Sequence, residues 1–328
     1  MRIVVMGTGQ FAVPMFEALL TAGHEVPALI TRPVPPATGR KKESLHPNPM
    51  RDFATSRNIA VFAPQTANSE EARAALRAYA PDLLAVCDYG EILSPETLAV
   101  APLGGINLHA SLLPKYRGAA PINWAILKGE QETGITVIHM TPKLDGGPIL
   151  NVARTNIAAD ETSANLEPRL ALLGVPAVLD SINQLAAWDG QSPIGIRQDQ
   201  SLATHARRLR KSDGNVQWTH SAKHISNQVR GLQPWPGVYT HYLKPGSSPV
   251  RLILDRVSVL DPLTFDEPIR EISPGTVALV NHQRLVIQTG DGLFSLDRVQ
   301  PAGKRIMPIS EFLRGYKIAP GDRFGDVE

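Results

Sequence analysis

The sequence predicts an α/β fold, a doubly wound and mostly parallel sheet, followed by a small β-barrel. Three observations predict it. Short apolar runs alternate with helix-period segments through the first half, the pattern of parallel βαβ units. Near residue 200 this gives way to short β runs separated by Gly, Pro and Asp turns, the pattern of a small barrel. At 328 residues the chain is also too long for one core on the scale of about 100–200 residues per domain.

Taken in order, Arg2–Met6, Val26–Ile30, Asp82–Val86, Ile106–Leu108 and Ile135–Met140 read as strands. Phe11–Leu20, Ser69–Tyr79 and Ala119–Lys128 carry helix-period apolar residues between them. An irregular excursion rich in proline and basic residues, Arg32 to Pro49, interrupts the alternation, and such a stretch is functional or disordered. Thr162–Trp188 reads as a helix, with Thr-Ser as its start and Asp189-Gly190 as its stop. A basic stretch, Arg207-Arg208-Leu-Arg210-Lys211, precedes a short helix at Ser221–Leu232. The runs Arg251–Val259, Gly275–Val280, Leu285–Thr289 and Leu293–Val299 then supply the barrel. The domains are accordingly expected at 1–203 and 204–328.

Composition excludes several classes. With 43% hydrophobic and 20% charged residues the chain is an ordinary globular protein. One cysteine, Cys87, allows neither an intrachain disulfide nor a cysteine metal site and suits a reducing compartment. Its nine histidines are scattered and none belongs to an H-E-x-x-H motif, so no metal is expected. No apolar run approaches the roughly 20 residues that span a bilayer, and the N-terminus enters a strand at once. A cytoplasmic monomer without a membrane is the expectation. Net charge is +2, but residues 201–328 hold 17 Lys+Arg against 12 Asp+Glu, an excess of five that is compatible with a nucleic-acid partner.

Chemistry concentrates at Gly105-Ile-Asn107-Leu-His109-Ala-Ser-Leu-Leu-Pro114 and at Leu144-Asp145-Gly-Gly-Pro148. Strand alternation puts Asn107 and His109 on one face. An amide, an imidazole and a carboxylate at strand ends suit attack of an amine on a carbonyl. Asn107 and His109 donate to the oxyanion, and Asp145 orients the histidine, favours its charged form and accepts a proton. Each residue taken singly also fits an ordinary strand end or turn.

A second motif competes. Gly7-Thr-Gly9-Gln-Phe-Ala12 after the first strand matches the dinucleotide fingerprint G-x-G-x-x-A. The acid expected about 20 residues later is missing, and Arg32 stands at the end of the second strand, which leaves an NADP-dependent oxidoreductase as a remote alternative.

Asn107-x-His109-x-Ser111-Leu112-Leu113-Pro114-x-x-Arg117-Gly118-x-x-Pro121 resembles the signature of the 10-formyltetrahydrofolate-dependent formyltransferases. That family implies a Rossmann-like formyltransferase domain with Asn107, His109 and Asp145 as catalytic residues. It implies 10-formyltetrahydrofolate as formyl donor, a cosubstrate with no permanently bound cofactor. Ser111, Leu112, Leu113 and Pro114, with Val86, Tyr89, Gly90, Ile92 and Leu93 of the loop after the fourth strand, match its folate-binding segments.

Resemblance covers essentially the whole chain for the branch that formylates the amino group of initiator methionyl-tRNA. It implies an OB-like, tRNA-binding C-terminal barrel. Pro234-Trp-Pro-Gly237 and Gln300-Pro-Ala-Gly-Lys304 carry it there. Arg40, Lys41 and Lys42 would meet the acceptor stem, helped by Arg207, Arg208, Arg210, Lys211 and Lys304. An amino sugar nucleotide or other small amine is the alternative acceptor, and an RNA-binding module with a degenerate enzyme domain the alternative class. The chain departs from the family at Gly9, where proline is usual, and at Asp88-Tyr-Gly-Glu91, where Ala-Tyr-Gly-Leu is usual.

Overall fold

The first strand, β1 (Ile3–Met6), is wholly buried, as four consecutive apolar residues in the middle of a parallel sheet must be. The computed structural model describes residues 1–33, 48–244, 246–261 and 272–326. They form two units, one of Met1–Pro121, Glu132–Ile157 and Asn165–Arg207, the other of Ile122–Gln131, Ala158–Ala164 and Arg208–Glu328.

In the first unit a 3-10 turn, Gln10–Ala12, leads into helix α1 (Val13–Thr21), and β2 (Ala28–Ile30) follows. Next come α2 (Pro49–Ser56), β3 (Ala60–Phe62), α3 (Glu70–Ala78), β4 (Leu83–Val86) and α4 (Pro95–Leu98). Asn48, Ser69 and Ser94 cap α2, α3 and α4 by accepting a backbone N–H with their side chains, which offsets part of the cost of a helix start. After β5 (Gly105–His109) the chain forms the short β6 (Arg117–Gly118) and helix α5 (Pro121–Leu127), whose residues from Ile122 on belong to the second unit. β7 (Glu132–His139), β8 (Ile149–Asn156), the long α6 (Ser163–Ala186) and the short β9 (His205–Ala206) complete the series.

The sheet order is β3-β2-β1-β4-β5-β7-β8. β1 to β5 are parallel, as the alternating pattern predicts, and the order reverses between β1 and β4. That reversal leaves a crevice outside the carboxyl ends of the two strands. Beyond β5 the strand direction alternates: β5 pairs β7, and β7 pairs β8, antiparallel. β3, β8, α2 and α4 were not expected from the sequence.

The second unit holds α7 (Ala222–Gly231), β10 (Val238–Leu243), β11 (Val250–Leu260), β12 (Val277–Val280), β13 (Leu285–Gln288), β14 (Leu293–Pro301), β15 (Met307–Pro308), α8 (Ile309–Gly315) and β16 (Arg323–Gly325). Its antiparallel sheet runs β12-β13-β14-β11-β10-β16 and curls until Thr276 bridges Arg323, which closes a small barrel. Trp218, Phe294, Phe324 and Tyr242 fill the interior, with the indole N–H of Trp218 donating to Thr240 Oγ1 at 3.0 Å.

Candidate active site

β5 ends on Asn107 and His109, both turned to one face, His109 almost fully buried and Asn107 half-buried. The third member arrives by a route that differs from the expectation of a strand end. Because β7 runs antiparallel, its last residue, His139, pairs with Ile106. Loop 140–148 therefore starts beside Gly105, at the far end of β5 from His109, and folds back along the sheet. That return brings Asp145 Oδ1 to 3.3 Å from Asn107 Nδ2, which donates to it, and Asp145 Oδ2 to 3.7 Å from His109 Nδ1.

Two backbone groups complete the cluster, neither of them foreseeable from residue types. Gly118 N–H donates to Asp145 Oδ2 at 2.8 Å. His109 Nε2 lies 2.9 Å from the Tyr116 carbonyl oxygen. A carbonyl only accepts, so Nε2 carries the hydrogen and Nδ1 is the nitrogen left facing Asp145. Asp145 has φ 45° and Tyr116 φ 61°, both in the left-handed region that costs most residues about 1 kcal/mol or more. Strain of that kind persists where surrounding contacts hold it.

The expected folate segments lie at neighbouring positions. Thr136 of β7 ties the Ser111–Pro114 loop to the sheet: its Oγ1 donates to the Ser111 carbonyl at 2.7 Å and accepts from Leu113 N–H at 3.1 Å. Ser111 is fully buried, its hydroxyl donating to the Lys115 carbonyl. Leu112 is half-buried, Leu113 buried, and the Leu113–Pro114 peptide is cis. Val86, Tyr89 and Leu93 pack in the core with Met6, Ile30 and Leu84, while Gly90 and Ile92 are exposed.

Both departures from the family pattern acquire partners. Gly9 and Asp88 face each other across the crevice between β1 and β4. A Cβ built on Gly9 would lie 1.8 Å from Asp88 Oδ2, so neither proline nor alanine fits there while the carboxylate holds its place. The side chain of Asp88 reaches solvent but is crowded on its other sides. That crowding, with the charge of Glu167, pushes its carboxyl up to about 6, against the opposing pull of the Gly9 N–H. Glu91 accepts from Ala67 N–H at 3.1 Å and from Asn68 Nδ2 at 3.3 Å, bonds the Thr66 hydroxyl, and pairs with Arg32 at 3.3 Å.

Of the basic residues, Arg40, Lys41 and Lys42 lie outside the described residues. Arg207, Arg208, Arg210 and Lys211 are exposed around the buried Leu209, and Lys304 lies over the Tyr316 ring at 5.5 Å. Among the described residues no His, Cys, Asp and Glu cluster could hold a metal, and no helix is long and apolar enough to cross a membrane.

Known proteins resemble this chain. The family models described as formyl transferase and as formyl transferase, C-terminal domain, match residues 1–182 and 208–317. The methionyl-tRNA formyltransferase of Rhodopirellula baltica is 41% identical over 98% of this chain and 96% of its own. That of Moorella thermoacetica is 40% identical over the whole of both. Among solved structures, HypX from Aquifex aeolicus with tetrahydrofolic acid covers 98% of this chain and 50% of its own at TM-score 0.60 and 17% identity. An N-formyltransferase from Helicobacter canadensis, with folinic acid and dTDP-3-aminofucose, covers 90% and 98% at TM-score 0.60 and 17% identity. At such identities these two show the fold alone. The full-length relatives show more: the chain belongs to the formyl transferase family, among the methionyl-tRNA formyltransferases.

Proposed function

We propose that the chain transfers the formyl group of 10-formyltetrahydrofolate to the amino group of initiator methionyl-tRNA. Convergence of Asn107, His109 and Asp145 carries this reading, supported by relatives of that name that match the chain from end to end.

The chemistry follows from the donors available. Attack of the neutral amine on the formyl carbon puts negative charge on the formyl oxygen. Asn107 Nδ2 has two hydrogens and spends one on Asp145, so the other is free to meet that charge. His109 Nδ1 takes the proton that the amine must lose and, once protonated, donates toward the reacting centre while Asp145 offsets its charge. The proton ends on N10 of the folate as the carbon–N10 bond breaks, giving the formamide and tetrahydrofolate. No protein nucleophile is required.

In this reading residues 1–203 form the catalytic domain and 204–328 the tRNA-binding domain of a cytoplasmic monomer. Ser111–Pro114 and the 86–93 loop hold the folate, and Arg40, Lys41, Lys42, Arg207, Arg208, Arg210, Lys211 and Lys304 meet phosphates, where each contact releases counterions. Incubation with 10-formyltetrahydrofolate and charged methionyl-tRNA tests it. N-formylmethionyl-tRNA is the expected product; formylation of an amino sugar nucleotide instead would overturn the choice of acceptor.

A further inference from the structure

The carboxylate of Asp145 is not mounted on the sheet. Its loop leaves the end of β7 and comes back with a left-handed residue at Asp145 itself, so something must hold the return. One side chain does most of this. Gln198, buried at 8% exposure, donates from Nε2 to the Asp145 carbonyl at 2.8 Å and to the Gly147 carbonyl at 2.8 Å. Both hydrogens of the amide are thereby spent on the backbone of one loop.

The amide is itself fixed from the other side. Gln198 Oε1 accepts from Arg117 Nε at 3.2 Å and from Arg117 Nη2. Arg117 Nη1 donates to Gln200 Oε1 at 3.0 Å, and Lys143 Nζ, on the same returning loop, donates to that oxygen at 2.6 Å. Arg117 is only 3% exposed and has no carboxylate partner among the described residues. A buried guanidinium without a counter-ion is costly, and a merely structural site would be filled more cheaply by an apolar side chain. Its neighbours in sequence give it a purpose. Tyr116 supplies the carbonyl that fixes His109 Nε2, and Gly118 supplies the N–H that holds Asp145 Oδ2. The segment 116–118 thus touches the histidine, the carboxylate and, through Arg117, the clamp on the loop.

We propose that Gln198, locked by Arg117, is a positioning residue that keeps loop 140–148 folded back so that Asp145 stays on Asn107 and His109. This rests on the reading of those three residues as catalytic. Gln198 touches no reacting atom; its effect passes through the backbone of Asp145 and Gly147.

Gln198→Glu separates the two sides of the clamp. The new carboxylate still accepts from Arg117, as an ion pair, but presents oxygen to the two loop carbonyls and releases them. Expected is a fall in kcat of about 10-fold or more, with KM for 10-formyltetrahydrofolate within about two-fold, because misplacement of a reacting group acts on turnover. Hydrogen exchange should quicken at loop 140–148 and stay unchanged through β1, β4 and β5. Asp145→Ala is run beside it. If Asp145→Ala abolishes turnover while Gln198→Glu leaves it at the wild-type level, the positioning role is wrong and the catalytic reading stands. If neither variant slows the reaction, the catalytic reading itself fails. Should Gln198→Glu lower the unfolding midpoint, Arg117→Lys, which keeps the charge but cannot bond Gln198 and Gln200 together, must reproduce the same kcat loss and the same local exchange; unchanged exchange in that loop overturns the proposal.

Discussion

Two places in the first unit advertised chemistry in the sequence, the glycine turn after β1 and the Asn-x-His end of β5. Structurally they are opposites. At the glycine turn three backbone amides are already spent: Gly7 N–H donates to the Ile30 carbonyl, Thr8 N–H to the Asp88 carbonyl, and Ala12 N–H to the Gly9 carbonyl. Where a pyrophosphate would approach Gly9, the Asp88 carboxylate already stands, with Glu167 adding a second negative charge. Arg32, the residue offered for a 2′-phosphate at the end of β2, pairs with Glu91. At the end of β5 the reverse holds. Side chains from β5 and loop 140–148 converge, and one Asn107 hydrogen and His109 Nδ1 remain for a substrate. A motif marks a backbone shape, and the donors that shape leaves unspent decide whether it binds anything.

The largest effect that would sharpen this contrast is at β5. Asn107→Ala or Asp145→Ala should lower turnover roughly 100-fold or more with the unfolding midpoint kept, the usual scale for one such group. Steady-state rates within a few-fold of wild type would strike the residue from the mechanism.

At the glycine turn effects should fall on stability. Gly9→Ala forces the Asp88 carboxylate aside and should cost about 1 kcal/mol, the lower end for overpacking, since the end of a short side chain can swing away. Asp88→Ala in the same chain should return most of that in urea unfolding. Costs that simply add would show that the two positions are independent.

A smaller effect concerns pH. With its carboxyl at about 6 in the folded chain against the usual 3.8, Asp88 holds a proton between those values that the unfolded chain has lost. Folded-state stability therefore falls as pH rises through this window, and the cost is fully present above it. Asp88→Asn should gain on wild type between pH 4 and 6 and keep a constant margin above, a margin reduced by the solvent at this side chain. A margin that shrinks with rising pH would contradict the assignment. Smallest of all, titration with NADPH should show no saturable binding; a micromolar dissociation constant would reopen the glycine turn as a site.

How much of this was legible beforehand depended on whether the pattern was local. β1 and β4 are buried apolar runs and read directly. β8, Ile149–Asn156, alternates half-buried and exposed residues as an antiparallel edge strand does, and its Asn, Arg and Thr hide it. β10, Val-Tyr-Thr-His-Tyr-Leu, buries every second residue, but two of those three, Thr240 and Tyr242, carry hydroxyls that mask the pattern. α2 starts at Pro49, inside what reads as irregular chain. In the site, Asn107 and His109 were visible through strand alternation, and Asp145 as the carboxylate of Leu144-Asp145-Gly-Gly-Pro148. Gln198 was not, because what it bonds are carbonyl oxygens, which every residue has. Nor was the pairing of Gly9 with Asp88, 79 positions apart, though both stood out as departures.

The closure of the barrel in the second unit has a consequence of another kind. β12 and β16 would each be a free strand edge, a template on which another chain can add by hydrogen bonding. Here the edges meet instead: Phe324 N–H donates to the Gly275 carbonyl at 2.7 Å and Val277 N–H to the Asp322 carbonyl at 2.8 Å. The seam depends on Gly275, at φ 84°, where a Cβ would lie 2.4 Å from the Phe324 carbonyl oxygen. A side chain there would part the seam and leave two edges open at once, turning a self-contained barrel into a surface on which copies of the chain can stack.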